Sequence, residues 1–251
     1  MNRGIYLLPN LMTTAALFAG FYAVIAGIQG HFLEGAIAIF IAMIFDGLDG
    51  RIARMTNSSS AFGAEYDSLA DMVSFGMAPA LLMFQWGLQD FGKIGWVAAF
   101  IFTAGAALRL ARFNTQVGTA DKRYFQGLPS PAAAALLAGL IWVVESKAMH
   151  DDYLPLLALF LTVFAGLMMV SNVRFHSFKE LNFKGKVPFF TLLVVVMVFA
   201  IVMLEPAMIL FSVMFLYAFS GPIVTLATLR KTRALRKQRH DDAKTSNETE
   251  L

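Results

Sequence analysis

Eight long apolar runs leave this chain little alternative to a membrane-embedded helical bundle. They fall at roughly 5–28, 33–54, 63–88, 94–113, 129–147, 153–172, 187–204 and 207–229, each near the ~20 residues a helix needs to cross the hydrocarbon core. Of 251 residues, 58% are hydrophobic and only 15% charged, where a soluble domain carries about 25% charge. A water-soluble fold would have to expose much of that apolar surface; lipid accepts it, provided backbone groups are paired within helices. Only Glu205-Pro206 separates the last two runs, which predicts a tight helical hairpin, since proline ends one helix and starts the next. The first run reaches about residue 28 without a small-residue cleavage site, so a retained helix is expected in place of a signal peptide.

The basic residues test this division independently. One set of helix ends and loops holds Arg3, Arg51, Arg54, Arg109, Arg112, Lys122, Arg123, Arg174, Lys179, Lys184, Lys186 and the tail cations from Arg230 to Lys244. Only Lys93 and Lys147, of 20 Lys and Arg, lie on the other side. By the positive-inside rule both termini face the cytoplasm. Residues 1–229 then read as one transmembrane catalytic domain. Residues 230–251 read as a cytoplasmic tail, basic and then polar, partly disordered and suited to anchor topology or meet anionic headgroups. There is no cysteine, which excludes disulfides, thiolate ligands and a cysteine nucleophile. The four histidines, His31, His150, His176 and His240, lack ligand spacing and read as loop residues.

The chemistry is concentrated in residues 46–71, DGLDGRIARMTNSSSAFGAEYDSLAD. Asp46, Asp49, Gly50 and Ala53 recur at i, i+3, i+4 and i+7, one face of a helix. Gly63, Asp67 and Asp71 recur at i, i+4 and i+8, again one face, and the Ser-rich linker between the two groups turns the chain back. Two helices thus present two carboxylates each to a shared cleft at the cytoplasmic boundary. Four facing carboxylates repel one another unless protons or cations intervene. An oxygen-only donor set favours Mg²⁺ or Mn²⁺, and a pair of such ions suits phosphate chemistry. Glycines on the same faces allow close approach, and Arg54 offers a planar fork for phosphate oxygens. Glu65 lies off the Asp67 face and reads as an interfacial acid that reaches water.

At every defined position this spacing, D-x2-D-G-x2-A-R-x8-G-x3-D-x3-D, matches the signature of the CDP-alcohol phosphatidyltransferases, and the chain resembles that family. Leu8-Pro9-Asn10-Leu11 with Thr13 and Gly20, the run from Asp71 to Ala80, Arg109-Leu110-Ala111-Arg112-Phe113-Asn114, Gly127-Leu128-Pro129-Ser130-Pro131 and Ser171-Asn172-Val173-Arg174-Phe175 look like its phosphatidylserine synthase branch, to about residue 180. The resemblance implies an all-α, polytopic membrane bundle of about eight helices that transfers phosphatidyl from CDP-diacylglycerol to L-serine. It implies Asp46, Asp49 and Asp67 as metal ligands, with Asp71 completing the site and acting as general base. It also implies that Asp49, Gly50, Ala53, Arg54 and Gly63 line the nucleotide–diphosphate site. The partners expected are CDP-diacylglycerol, L-serine, membrane lipid and a second copy in a homodimer, with no nucleic acid; the location expected is a bacterial inner membrane.

Other residues carry two readings each. Asn10 and Thr13 either cap a helix or touch the nucleotide. Arg109, Arg112 and Asn114, and separately Arg174, are candidates for the serine carboxylate, against a role as positive-inside flanks. Gly127-Leu128-Pro129 reads as a loop and helix start without chemistry. With no convincing covalent nucleophile, direct displacement is expected. The rivals are a relative that uses glycerol 3-phosphate as acceptor, and a carboxylate-lined divalent-cation transporter.

Overall fold

The computed structural model describes residues 7–56, 58, 60–115, 124–149, 151–176 and 189–225. Each of the eight apolar runs is a helix: α1 (Leu7–Ile28), α2 (Phe32–Met55), α3 (Ala61–Phe91), α4 (Lys93–Thr115), α5 (Ser130–Lys147), α6 (Leu154–Val170), α7 (Phe189–Leu204) and α8 (Pro206–Thr225). The predicted limits lie within a few residues of these, and the α7–α8 corner falls at Glu205. The tail from 230 onward lies outside the described residues. Among the described residues the secondary structure is helical apart from a pair of three-residue strands, β1 (Tyr124–Gln126) and β2 (Arg174–His176), which run antiparallel with Phe125 opposite Phe175.

Four helices, α1, α3, α4 and α8, are long and apolar enough to cross a membrane by length and composition. With 24 residues, α2 extends about 36 Å at 1.5 Å per residue, but its second half carries Asp46, Asp49, Arg51 and Arg54. α5, α6 and α7 are shorter, at 18, 17 and 16 residues.

Small residues fill the seam between α1 and α2: Ala16, Ala19 and Ala23 of α1 and Gly35, Ala36, Ala38 and Ala42 of α2 are buried where the two helices pack, and Gly20 and Gly27 of α1 admit Ser74 and Leu82 of α3. Small side chains let helix backbones approach closely where lipid supplies no hydrophobic drive between helices. At the α4–α6 crossing a Cβ on Gly105 would stand 2.5 Å from the Gly166 carbonyl oxygen, so only glycine fits. Large apolar side chains such as Phe18, Phe21, Phe100, Leu108, Phe160 and Phe199 are exposed, as a lipid-facing surface requires. α5 is buried at 12 of its 18 positions, which makes it the central helix. The chain is a multi-pass membrane protein.

Helices alternate in direction, so the starts of α1, α3 and α5 share one end of the bundle with the ends of α2, α4 and α6. The other end is tied by polar contacts near the helix ends. Tyr22 donates to Glu34 at 2.8 Å, Trp86 to Glu145 at 2.7 Å and Lys147 to Glu205 at 2.8 Å. His31 lies in the α1–α2 loop, as expected, 3.8 Å from Glu34.

Candidate active site

The first end of the bundle gathers the acids. Oxygens of Asp46, Asp49 and Asp67 lie within 4.8 Å of one another, two from the last turns of α2 and one from the first turns of α3. Asp71, one turn further along α3, lies beside Asp46. Asp49 is 5% exposed, which makes it the most enclosed of the charged side chains among the described residues. Its Oδ2 lies 2.6 Å from the Thr13 hydroxyl, which also stands 3.1 Å from the Pro9 carbonyl. The single hydroxyl proton goes to the nearer, charged acceptor, so α1 fixes the orientation of an α2 carboxylate.

The linker sets the angle between the two acidic helices. Ser60 is the N-cap of α3, its extended backbone followed by a hydroxyl that accepts from Gly63 N at 3.0 Å. Ser58, 5% exposed, lies 2.6 Å from the Thr56 hydroxyl at the end of α2. On the outer side Tyr66 and Thr14 hydroxyls meet at 2.9 Å and tie α3 to α1.

Between these elements lies a cleft of about 180 Å³, lined by Pro9, Asn10, Thr13, Asp49, Gly50, Ala53, Ser58, Ser60, Gly63, Ala64 and Asp67. Asn10 and Thr13 sit inside α1 and face this cleft, so the capping alternative is replaced by a wall position. A Cβ added at Gly63 would come 3.4 Å from Asn10 Oδ1, whereas one at Gly50 would meet nothing within 4 Å and would enter the cleft. Arg54 is exposed, its Nε donates to the Gly50 carbonyl at 2.9 Å, and it does not line the cleft. Glu65 is exposed, as expected of an interfacial acid.

The remaining candidates divide by their contacts. Arg109 is half-buried, with Asp71 and Tyr217 as its charged and polar neighbours. Its Nη1 donates to Ser130 at 2.9 Å, and its Nε is buried with no hydrogen-bond partner. Arg112 donates to the Val170 carbonyl at 3.0 Å and to Asn172 at 3.4 Å, which closes the C-terminal end of α6. Asn114 bonds Ser68 at 3.1 Å, between the two α3 aspartates. Arg174 pairs through its backbone with Gln126, and its side chain lies outside the described residues.

Sequence reasoning missed three residues here. Ser60-x-x-Gly63 was legible as a cap pattern. Ser130 sat in a run read as loop and helix start only. Tyr217 had no local signal, since a tyrosine in an apolar helix matches an interfacial residue equally well.

The donor set fits a hard divalent cation: three carboxylates converge, no nitrogen or sulfur ligand competes, and the adjoining wall at Gly50 is left open for a ligand. Comparison with known proteins leads to the same residues. The family model for CDP-alcohol phosphatidyltransferase matches residues 6–164, which span the four aspartates and every cleft residue. A Helicobacter pylori protein named CDP-diacylglycerol–serine O-phosphatidyltransferase is 36% identical over 220 residues, 87% of this chain and 91% of the relative. Proteins of the same name from Saccharomyces cerevisiae and Methanocaldococcus jannaschii are 39% and 36% identical, over 61% and 62% of this chain and 59% and 70% of their own lengths. A match across most of the chain, with two carboxylate-bearing helices facing one cleft at the end of a membrane bundle, places this protein in the CDP-alcohol phosphatidyltransferase family.

Proposed function

We propose that this protein transfers the phosphatidyl group of CDP-diacylglycerol to L-serine, giving phosphatidylserine and CMP, at the cytoplasmic face of a bacterial inner membrane. The observation that carries the reading is the convergence of Asp46, Asp49 and Asp67 beside Asp71 on a cleft walled by small residues. The serine-specific names of the similar proteins support the choice of acceptor.

In this reading Asp46, Asp49 and Asp67 hold Mg²⁺ or Mn²⁺, two ions in all, with Asp71 completing the set. When bound, such ions supply charge neutralisation at the diphosphate and at the departing CMP. Asn10, Thr13, Gly50, Ala53 and Gly63 seat the nucleotide and diphosphate, and the missing Cβ at Gly50 leaves the space for it. Arg54, at the rim, keeps its terminal nitrogens for phosphate oxygens. Serine enters from the α4 side. Ser130 holds Nη1 of Arg109, and the unpartnered Nε is the donor offered to the serine carboxylate. Asp71, beside that guanidinium, takes the proton of the serine hydroxyl. The hydroxyl oxygen forms the new bond to the phosphatidyl phosphorus as the bond to CMP breaks. The chain works as a homodimer with both termini in the cytoplasm, as its charge bias and family resemblance suggest.

Purified protein given CDP-diacylglycerol with each acceptor decides the matter. CMP release and phosphatidylserine formation are expected with serine. Turnover with glycerol 3-phosphate but not with serine would replace the acceptor, and divalent-cation uptake into vesicles without lipid turnover would replace the enzyme. Isolation of a phosphatidyl-enzyme intermediate would exclude direct displacement.

A further inference from the structure

Two elements beyond the acidic helices, α5 and α8, join α3 around the Arg109 guanidinium. Ser130 at the start of α5 accepts from Nη1 at 2.9 Å. Asp71 of α3 and Tyr217 of α8 are its electrostatic neighbours. α8 begins at Pro206, beyond the residues 6–164 that the family model matches.

Packing fixes Tyr217 in place. Its ring lies 5.5 Å from that of Phe175, tilted by 49°. Phe175 is fully buried and anchored in the β1–β2 ribbon opposite Phe125. One turn beyond Tyr217 on α8, Gly221 makes room for the same ring: a Cβ there would come 2.4 Å from Phe175 Cε1. Glycine at 221 lets α8 lie against Phe175, and Phe175 then holds the half-buried phenol on the Arg109 side. A guanidinium on a long, flexible stem has many rotamers, and ordering one in advance lowers the entropy lost when a carboxylate binds it.

We propose that Tyr217 is a positioning residue for the acceptor alcohol, which holds the Arg109 guanidinium in the orientation that receives the serine carboxylate and so makes the C-terminal helix part of the acceptor site. This rests on the reading of Arg109 as the partner of the serine carboxylate. Tyr217 exchanges no proton and touches no reacting atom in this role.

Steady-state kinetics on Tyr217→Phe, Arg109→Lys and the double variant test it, with serine and CDP-diacylglycerol varied separately. The phenylalanine ring keeps the contact with Phe175, so the bundle stays folded. Tyr217→Phe should raise the serine KM roughly tenfold, the scale of one polar contact to a charged group, and leave the CDP-diacylglycerol KM and the melting temperature unchanged. Arg109→Lys should raise the serine KM further, and adding Tyr217→Phe to it should change little, since two residues that act through one interaction are not additive. A Tyr217→Phe effect that is equal on both substrates, absent, or fully multiplicative with Arg109→Lys would overturn the positioning role alone. A normal serine KM in Arg109→Lys would overturn the reading of Arg109 on which it rests.

Discussion

Gly50→Ala should raise stability and lower activity together, because the space its Cβ would enter belongs to the ligand and not to the protein. Gly50 lies inside α2 between Asp49 and Arg51, and a Cβ there would meet no heavy atom within 4 Å. Alanine in place of glycine in a helix interior gains about 0.5–1 kcal/mol. For a chain of this size that corresponds to a rise in melting temperature of about 1–4 °C. The methyl group enters a cleft of about 180 Å³ where the diphosphate is proposed to sit. Overfilling a fitted space costs about 1–3 kcal/mol, which becomes a roughly 5- to 150-fold fall in kcat/KM for CDP-diacylglycerol. A fluorescence melt in detergent reads the first quantity. CMP release with CDP-diacylglycerol varied at saturating serine reads the second, and the serine KM should stay at its wild-type value. A more stable variant with wild-type kcat/KM would show that the diphosphate does not pass Gly50. A less stable one would refute the open geometry itself.

Three shorter predictions bear on neighbouring features. Thr13→Val removes the hydroxyl 2.6 Å from Asp49 and should lower activity roughly 10- to 100-fold, with the activating metal concentration shifted upward; an unchanged metal titration would mean that Asp49 needs no orientation by α1. Gly105→Ala drives a Cβ to 2.5 Å from the Gly166 carbonyl and should lower the melting temperature by roughly 2–12 °C, which a melt without substrates reads directly; an unchanged temperature would refute the close α4–α6 crossing. Chelation of divalent cations should abolish CMP release and Mg²⁺ or Mn²⁺ should restore it, whereas full activity in excess chelator would remove metal from the site.

The spans and the acidic faces were legible because each depends on a short-range rule. Apolar length gives a span, and spacing of three or four residues gives a face, so Asp46 with Asp49 and Gly63 with Asp67 could be paired from sequence. What could not be read is where contacts depend on a second element. Asn10 and Thr13 look equally like caps or ligand contacts until both are seen inside α1, which lies against α2. Arg109 and Arg112 are three positions apart on one helix and carry the same side chain. One meets Ser130 of α5 and the other the last carbonyls of α6, a difference made by the loop that delivers α5. Gly127 shows how tightly that loop is held. Its φ of +78° suits glycine, and a Cβ would stand 2.3 Å from the Met169 carbonyl, so the chain can cross the end of α6 only here.

Regular helical periodicity also fails at one informative place. The face of Gly63, Asp67 and Asp71 cannot be extended past Asp71, because residues Met72–Met77 form a widened π-helical turn. An extra residue in the turn rotates the rest of the helix relative to an ideal one. Ser74 is thereby brought against α1, where its hydroxyl donates to the Ala16 carbonyl at 3.0 Å and its backbone approaches Gly20 so closely that a Cβ there would lie 2.7 Å from Ser74 Cα. This contact sits directly behind Asp71 and joins α3 to the helix that carries Thr13 and Asn10. The same widened turn therefore ends the acidic face and locks it to the wall of the cleft. That coupling gives glycine at 20 and serine at 74, which do not line the cleft, a part in holding the acidic face against α1.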